Sequence, residues 1–232
     1  MSTLHVVATP IGNLADITLR ALDVLRSVDV IACEDTRHTR KLLSHYEIRA
    51  ALVAYGHDES GATKVLERLR AGEDVALVSD AGTPGLSDPG SAAVAAARAE
   101  GFEVTPIPGP SAMTALLSVT GSTSQGAKFY GFLSPKRSRR RRQLRELLQP
   151  GDALVVFESP HRVLETLAEL AAAEATRQLI VGRELTKMHE EILIGDPDSV
   201  LTQLRDRAKI QGEFTIFVAG RRSRPTPDRY SS

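Results

Sequence analysis

Val75-Ala76-Leu77-Val78-Ser79-Asp80-Ala81-Gly82-Thr83-Pro84-Gly85-Leu86-Ser87-Asp88-Pro89-Gly90 is the stretch that decides the fold of this chain. A short β-type run ends in a turn rich in glycine and proline, and the alanine-rich stretch Ala92–Ala99 behind it has a helical pattern. A second unit of the same design follows, with Glu103–Ile107 as the strand and Pro108-Gly109-Pro110-Ser111-Ala112 as the turn into a helix. In an open α/β sheet such turns stand at the carboxyl ends of strands, where a crevice for a small ligand forms. Glycine and proline shape these turns and let backbone approach a ligand closely. The stretch therefore reads as part of an enzyme or ligand-binding protein.

The same grammar extends in both directions. Leu4–Thr9, Asp29–Cys33 and Ala51–Tyr55 are further strand candidates. Leu19, Leu22, Val24, Leu25 and Val28 give a helical apolar face with Thr18 as its N-cap, and Val65, Leu66 and Leu69 give another. After a small-residue linker at Thr120–Gly126 the alternation resumes, with strand candidates at Phe129–Leu133, Ala153–Glu158, Gln178–Arg183, Glu191–Ile194 and Phe214–Ala219. Helical patterns fall at Arg139–Leu148, Arg162–Ala172 and Ser199–Ala208. The expectation is two α/β domains, 1–118 and 119–222, with mainly parallel sheets and a cleft between them. A flexible tail is expected over 223–232.

Composition narrows the class. At 232 residues, 42% hydrophobic and 25% charged, the chain can bury a substantial core and has an ordinary globular balance. No apolar run approaches the roughly 18 residues of a membrane span, and the start lacks a secretory pattern, so no membrane partner is expected. Cys33 is the sole cysteine, which excludes an internal disulfide and fits a reducing cytoplasm. The six histidines, at 5, 38, 45, 57, 161 and 189, are dispersed, and no metal site is expected. Walker, dinucleotide-fingerprint, zincin and nucleophile-elbow motifs are all missing; the turn after the first strand reads Thr9-Pro10-Ile11-Gly12-Asn13-Leu14. Net charge is zero, yet residues 1–118 hold 10 basic against 15 acidic side chains and residues 119–232 hold 19 against 14. An acidic half and a basic half suit a polyanion that meets one side only.

Seven blocks in order carry a resemblance. Thr9–Thr18, Glu34-Asp35-Thr36-Arg37, Ser79–Pro84, Pro108–Ala112, Glu158-Ser159-Pro160-His161-Arg162, Arg183-Glu184-Leu185-Thr186-Lys187 and Gly212-Glu213-Phe214 resemble the ribosomal RNA small subunit methyltransferase I family of the tetrapyrrole-methylase superfamily. Together they cover residues 5 to about 220. The linker at Gly121–Lys128 departs from the pattern, lacking the Leu-Pro turn that members commonly carry. The resemblance implies S-adenosylmethionine in the interdomain cleft, a homodimer, and 2′-O-methylation of a decoding-centre cytidine ribose in 16S rRNA. The substrate would be 16S rRNA or the small ribosomal subunit. A small-molecule methyltransferase acting on a tetrapyrrole, a non-catalytic RNA-binding factor and a flavodoxin-like nucleotide-binding regulator are the rival readings.

The resemblance also implies a site. Asp80, Ala81, Gly82 and Thr83 would meet the methyl donor, with Pro10, Ile11 and Gly12 from the first strand's loop. Ser111 and Ala112 open a helix whose N-terminal amides can serve an anionic group such as the donor's carboxylate. Phe157, Leu185 and Phe214 are the candidates to close over adenine. For catalysis, Arg37 could hold a phosphate while Asp35 or Glu34 orients the acceptor hydroxyl or takes its proton. Glu158 and Lys187 approach from the second domain, as do Arg162 and Glu184, unless they serve only as ion pairs holding structure together.

Lys136-Arg137-Ser138-Arg139-Arg140-Arg141-Arg142 is the RNA signal, six of seven residues being basic. Guanidinium groups bind phosphate oxygens by paired hydrogen bonds and charge, giving affinity without sequence reading. Lys136, Arg137, Arg139, Arg140, Arg141 and Arg142 are all expected to face RNA.

Overall fold

The computed structural model describes residues 2–56, 59–87, 90–122, 126–149 and 151–221. The chain divides into two compact units, Met1–Thr114 and Ala115–Ser232. The expected tail, 223–232, lies outside the described residues.

In the first unit β1 (Thr3–Val7), β2 (Val30–Cys33), β3 (Ala51–Ala54), β4 (Val75–Val78) and β5 (Glu103–Ile107) form one sheet in the order β3-β2-β4-β1-β5. Every pairing is parallel. The runs Val-Ile-Ala-Cys and Val-Ala-Leu-Val are buried throughout, as strands covered on both faces must be. Alternation sorts their side chains. Ile31, Cys33, Ala76 and Val78 pack with Leu22 and Leu25 of α1 (Leu19–Ser27) and Leu42 and Leu43 of α2 (Thr36–His45). Ala32, Val75 and Leu77 face the other way, onto Val65 and Leu69 of α3 (Glu59–Arg70) and Ala93 and Ala97 of α4 (Ser91–Ala99). Thr18 caps α1, accepting the Ala21 amide at 3.1 Å.

This strand order has a topological switch at β1, because the chain moves from β1 toward β2 on one side and from β4 across to β5 on the other. The carboxyl ends of β4, β1 and β5 therefore lie side by side, which is where α/β sheets bind ligands.

The second unit holds β6 (Ala127–Phe132), β7 (Ala153–Glu158), β8 (Leu179–Arg183), β9 (Glu191–Gly195) and β10 (Phe214–Val218) in the order β6-β7-β10-β8-β9. The α/β class stands, but the expected mainly parallel pairing does not extend to this sheet. Only β6 and β7 are parallel; β10 runs antiparallel to both β7 and β8, and β9 antiparallel to β8. Parallel neighbours need a crossover helix, which α6 (Arg137–Leu148) supplies for β6 and β7. The short Glu184–Glu190 loop joining β8 to β9 contains no such helix, so that pair folds back on itself. The core gathers Leu144 and Leu148 of α6, Leu167 and Leu170 of α7 (Val163–Glu174) and Val200 and Leu204 of α8 (Pro197–Arg205) on Leu154, Val156, Val181 and Ile216. Arg177 is buried beneath it and donates to the carbonyls of Ala219 at 2.7 Å, Gly151 at 3.3 Å, Leu148 and Asp152.

Candidate active site

At the carboxyl edge of the first sheet, three loops are tied together by backbone. Thr9 and Gly82 exchange hydrogen bonds, Thr9 N to Gly82 O at 2.9 Å and Gly82 N to Thr9 O at 3.0 Å. The Thr9 hydroxyl also donates to Ser79 O at 3.2 Å, and the Thr83 hydroxyl to Pro110 O at 3.2 Å. Gly82 sits at φ +81°, and a Cβ there would stand 3.3 Å from Ile11 Cγ2. Both facts call for glycine. The loops after β1, β4 and β5 thus form one rim, which brings together Pro10, Ile11, Gly82, Thr83, Ser111 and Ala112. Ala81 and Gly12 are exposed on it.

Ser111 precedes α5 (Ala112–Val119), and its hydroxyl is buried without a hydrogen-bond partner. Buried polar groups are nearly always paired, so an orphan in a ligand rim calls for a ligand. The orphaned hydroxyl beside free helix amides fits a carboxylate-bearing donor such as S-adenosylmethionine.

The next strand over adds charge. Asp35 is the N-cap of α2 and accepts the Arg37 amide at 2.8 Å through Oδ1 and the Arg37 guanidinium at 3.1 Å through Oδ2. The Arg37 side chain and amide hold the Asp35 carboxyl down at about 2. Arg37 itself is 85% exposed. Asp80 Oδ1 accepts the Asp35 amide at 3.1 Å, joining this corner to the rim. Glu34, half-buried, follows β2 directly. Helix α2 is absent from the helical patterns read from the sequence, although Thr39, Leu42 and Leu43 form its buried face and Asp35 is its cap residue.

In the second unit several expected roles are corrected. Glu158 is 1% exposed and fully engaged, accepting Ser159 N at 2.8 Å, Arg162 Nη2 at 2.9 Å and the Thr166 hydroxyl at 2.7 Å. It holds the start of α7 from a buried position. Phe214 is 2% exposed within the sheet core, and Leu185 is buried against Gly182, so neither ring nor isobutyl group is presented to a ligand. Phe157 is half-buried and meets Phe129 and Phe132 edge-to-face, with centroids 5.0 and 5.7 Å away.

Lys187 is ion-paired with two carboxylates. Burial works against its charge, but Glu184 Oε1 at 2.9 Å and Glu213 Oε2 at 3.0 Å overcome this and raise its pKa. Burial likewise opposes the charge on Glu184, yet Lys187 and the Glu213 amide hold its pKa below the ordinary value. The Arg183–Lys187 and Gly212–Phe214 blocks are therefore two sides of one knot. Its loop is strained, Glu184 at φ +51° and Thr186 at φ +66°, a conformation costing a non-glycine residue about 1–2 kcal/mol. The Thr186 hydroxyl is buried and unpartnered. Nothing in the residue types announces such backbone.

The basic run begins α6. Lys136, Arg137, Arg139, Arg141 and Arg142 are exposed, together with Arg145. Arg140 is the exception and a correction, since it is wholly buried. Burial opposes its charge, and Glu165 Oε2 at 2.5 Å and Glu169 Oε2 at 3.2 Å outweigh that. At helical spacing it falls on the face of Leu144 and Leu148, pointing into the protein. Among the described residues no group of three or more histidine, cysteine, aspartate or glutamate side chains could hold a metal ion. No helix among them is long and apolar enough to cross a membrane.

Comparison with known proteins agrees with this geometry. The family of Tetrapyrrole (Corrin/Porphyrin) Methylases matches residues 3–200. The chain is 48% identical over 222 residues to the ribosomal RNA small subunit methyltransferase I of Xylella fastidiosa, covering 94% of this chain and 81% of that one. It is 46% identical over 219 residues to the protein of the same name from Borrelia garinii, covering 93% and 98%. The fold resembles that of uroporphyrin-III C-methyltransferase from Thermus thermophilus complexed with S-adenosylhomocysteine, with TM-score 0.66, 17% identity and coverage of 94% and 97%. With two α/β units, a glycine rim at the switch of the first sheet and relatives that match nearly the whole chain, this protein is a methyltransferase of the tetrapyrrole methylase family and belongs to its ribosomal RNA small subunit methyltransferase I branch.

Proposed function

We propose that the protein methylates the ribose 2′-hydroxyl of a decoding-centre cytidine in 16S rRNA, using S-adenosylmethionine. The observation that carries this reading is the rim of Thr9–Gly12, Asp80–Thr83 and Pro110–Ala112 with its orphaned Ser111 hydroxyl. It is joined by the exposed arginines of α6, which a tetrapyrrole substrate would not require.

When bound, S-adenosylmethionine supplies a methyl carbon already activated by the sulfonium charge. The chain's own residues then have two tasks, alignment and removal of the hydroxyl proton. Alignment is the larger: positioning contributes up to about 7–11 kcal/mol, against a factor of about 10²–10⁴ for a general base. The backbone-tied loops suit alignment, since their geometry is fixed before any ligand arrives. Ser111 Oγ and the first amides of α5 receive a carboxylate. Arg37, held by Asp35, faces solvent where it can grip an RNA phosphate. The Asp35 carboxyl, held at about 2 by Arg37, is too weak a base, so we assign proton removal to Glu34, its neighbour at the end of β2. Cytoplasmic location and assembly as a homodimer belong to the same reading; light scattering on the purified protein reads the latter directly.

The test is incubation with tritiated S-adenosylmethionine and small ribosomal subunits from cells lacking this activity, with the label mapped by nuclease digestion. Label on one ribose-methylated cytidine is the expected result. Cofactor binding without transfer to any rRNA overturns the proposal and returns the tetrapyrrole substrate or the silent RNA binder.

A further inference from the structure

Helices α6 and α7 enclose a groove of about 350 Å³ lined by Arg141, Leu144, Arg145, Glu169, Ala172 and Ala173. We propose that this groove is a subsite for one unpaired nucleotide of the rRNA, apart from the nucleotide that is methylated. The inference rests on the RNA reading above and goes further, naming which side of the basic helix reads a base.

Three features of the groove carry it. Its cationic wall is Arg141 and Arg145, one helical turn apart and both exposed, so two guanidinium groups stand over one strip of surface. Its opposite wall is Ala172 and Ala173, whose methyl groups leave room that a longer side chain would fill. Leu144 forms an apolar floor. The one acid in the lining, Glu169, is already neutralised by Arg140 Nε at 3.2 Å and Arg137 Nε at 3.6 Å. The buried arginine thus cancels a charge that would repel RNA. A slot of this size sits at the lower end for small-ligand sites. Its chemistry matches a flat base on an apolar surface, with guanidinium planes stacking on it or binding the flanking phosphates. Arg139 and Arg142 do not line the groove and add only charge.

The test compares two fluorescent probes by anisotropy: a short single-stranded RNA, and an oligomer of the same length with abasic riboses. The first has bases and phosphates, the second phosphates alone. Ala173→Phe, which fills the groove, is expected to weaken binding of the base-bearing RNA about tenfold and leave the abasic oligomer unchanged. Arg139→Gln with Arg142→Gln is expected to weaken both alike. Should Ala173→Phe fail to fold by circular dichroism, Arg141→Gln with Arg145→Gln serves instead, and is expected to abolish the preference for bases. Equal effects of Ala173→Phe on both probes, or a base preference that survives loss of Arg141 and Arg145, overturn the subsite while the RNA reading stands. A wild-type protein that binds neither probe at low salt overturns both.

Discussion

The carboxylate of Asp80 accepts the backbone amide of Asp35 at 3.1 Å. The loop after β4 thereby holds the residue that caps α2 and orients Arg37. The glycine rim and the Asp35–Arg37 corner are thus joined by a hydrogen bond. Replacing Asp80 with alanine is expected to lower stability by about 1–2 kcal/mol in urea denaturation and to weaken S-adenosylmethionine binding in calorimetry, with Asp80→Asn retaining much of both. Unchanged cofactor affinity in Asp80→Ala would remove this residue from the donor site.

Ser111 should separate binding from stability. Its hydroxyl has no partner within the protein, so Ser111→Ala removes a buried polar group that contributes nothing to the fold. Thermal stability without cofactor is expected to stay level or rise slightly. Cofactor affinity is expected to fall about three- to tenfold. A loss of stability with unaltered affinity would reverse the assignment.

The pH–rate profile distinguishes the acids. Rate falls as pH drops through the pKa of an essential base, and the Asp35 carboxyl is held at about 2. Asp35 is therefore ionised over the whole working range and sets no acidic limb. Asp35→Asn is expected to lower kcat about tenfold by releasing Arg37 while leaving the limb in place. Glu34→Gln is expected to abolish it. An acidic limb that disappears in Asp35→Asn would restore that residue as the base.

Gly212 lies at φ +95°, and a Cβ there would approach within 2.8 Å of Glu184 Oε1 and nearer still to its Cγ. Gly212→Ala is expected to cost about 1–3 kcal/mol, in part recovered in the Glu184→Ala background, a coupling read by a double-mutant cycle. The knot also has a pH window. Glu184 is depressed below its ordinary 4.5, so its contribution is full above that value and fades as pH falls through the lowered pKa. Lys187 is raised above 10.5, so its contribution is full below that value and fades as pH rises through the raised one. Lys187→Met is expected to flatten both ends of the stability–pH curve.

Glu169 and Arg140 form a buried ion pair, 4% and 0% exposed at their side chains. Glu169→Ala leaves a buried guanidinium with less compensation and is expected to cost about 3–5 kcal/mol. Arg140→Met strands the buried Glu169 carboxylate with only Arg137 at 3.6 Å, so it is expected to cost a similar amount in stability and also to weaken RNA binding by exposing the field of Glu165 and Glu169. Equal RNA affinity in Arg140→Met and wild type at low salt would show that the pair acts only in folding.

The strands were legible because each is a compact run of β-type residues bounded by turn chemistry, as with Val75–Val78 before Ser79. Their direction in the second unit was not. Whether Phe214–Val218 runs with or against its neighbours depends on which strands it enters between, a tertiary choice absent from its five residues. The rim loops were legible for the same reason as the strands, since glycine and proline have few alternative uses. Side-chain assignments fared less evenly. Arg140 is identical in type to its exposed neighbours, and only its helical phase with Leu144 and Leu148 distinguishes it. Glu158 and Lys187 carry the residue types of catalysis and both stand in ion pairs, a commitment that their residue types alone do not reveal.

The central place of β10 has a consequence for synthesis. The strand latest in sequence among those described lies between β7 and β8, pairing along its full length with both. The first unit has all its strands by Ile107 and can close while translation continues. The second has to wait with two half-sheets open until residue 218 leaves the exit tunnel. Until then the facing edges of β7 and β8 are the part of the nascent chain most exposed to wrong pairing, and chaperone dependence should concentrate there rather than in the first unit.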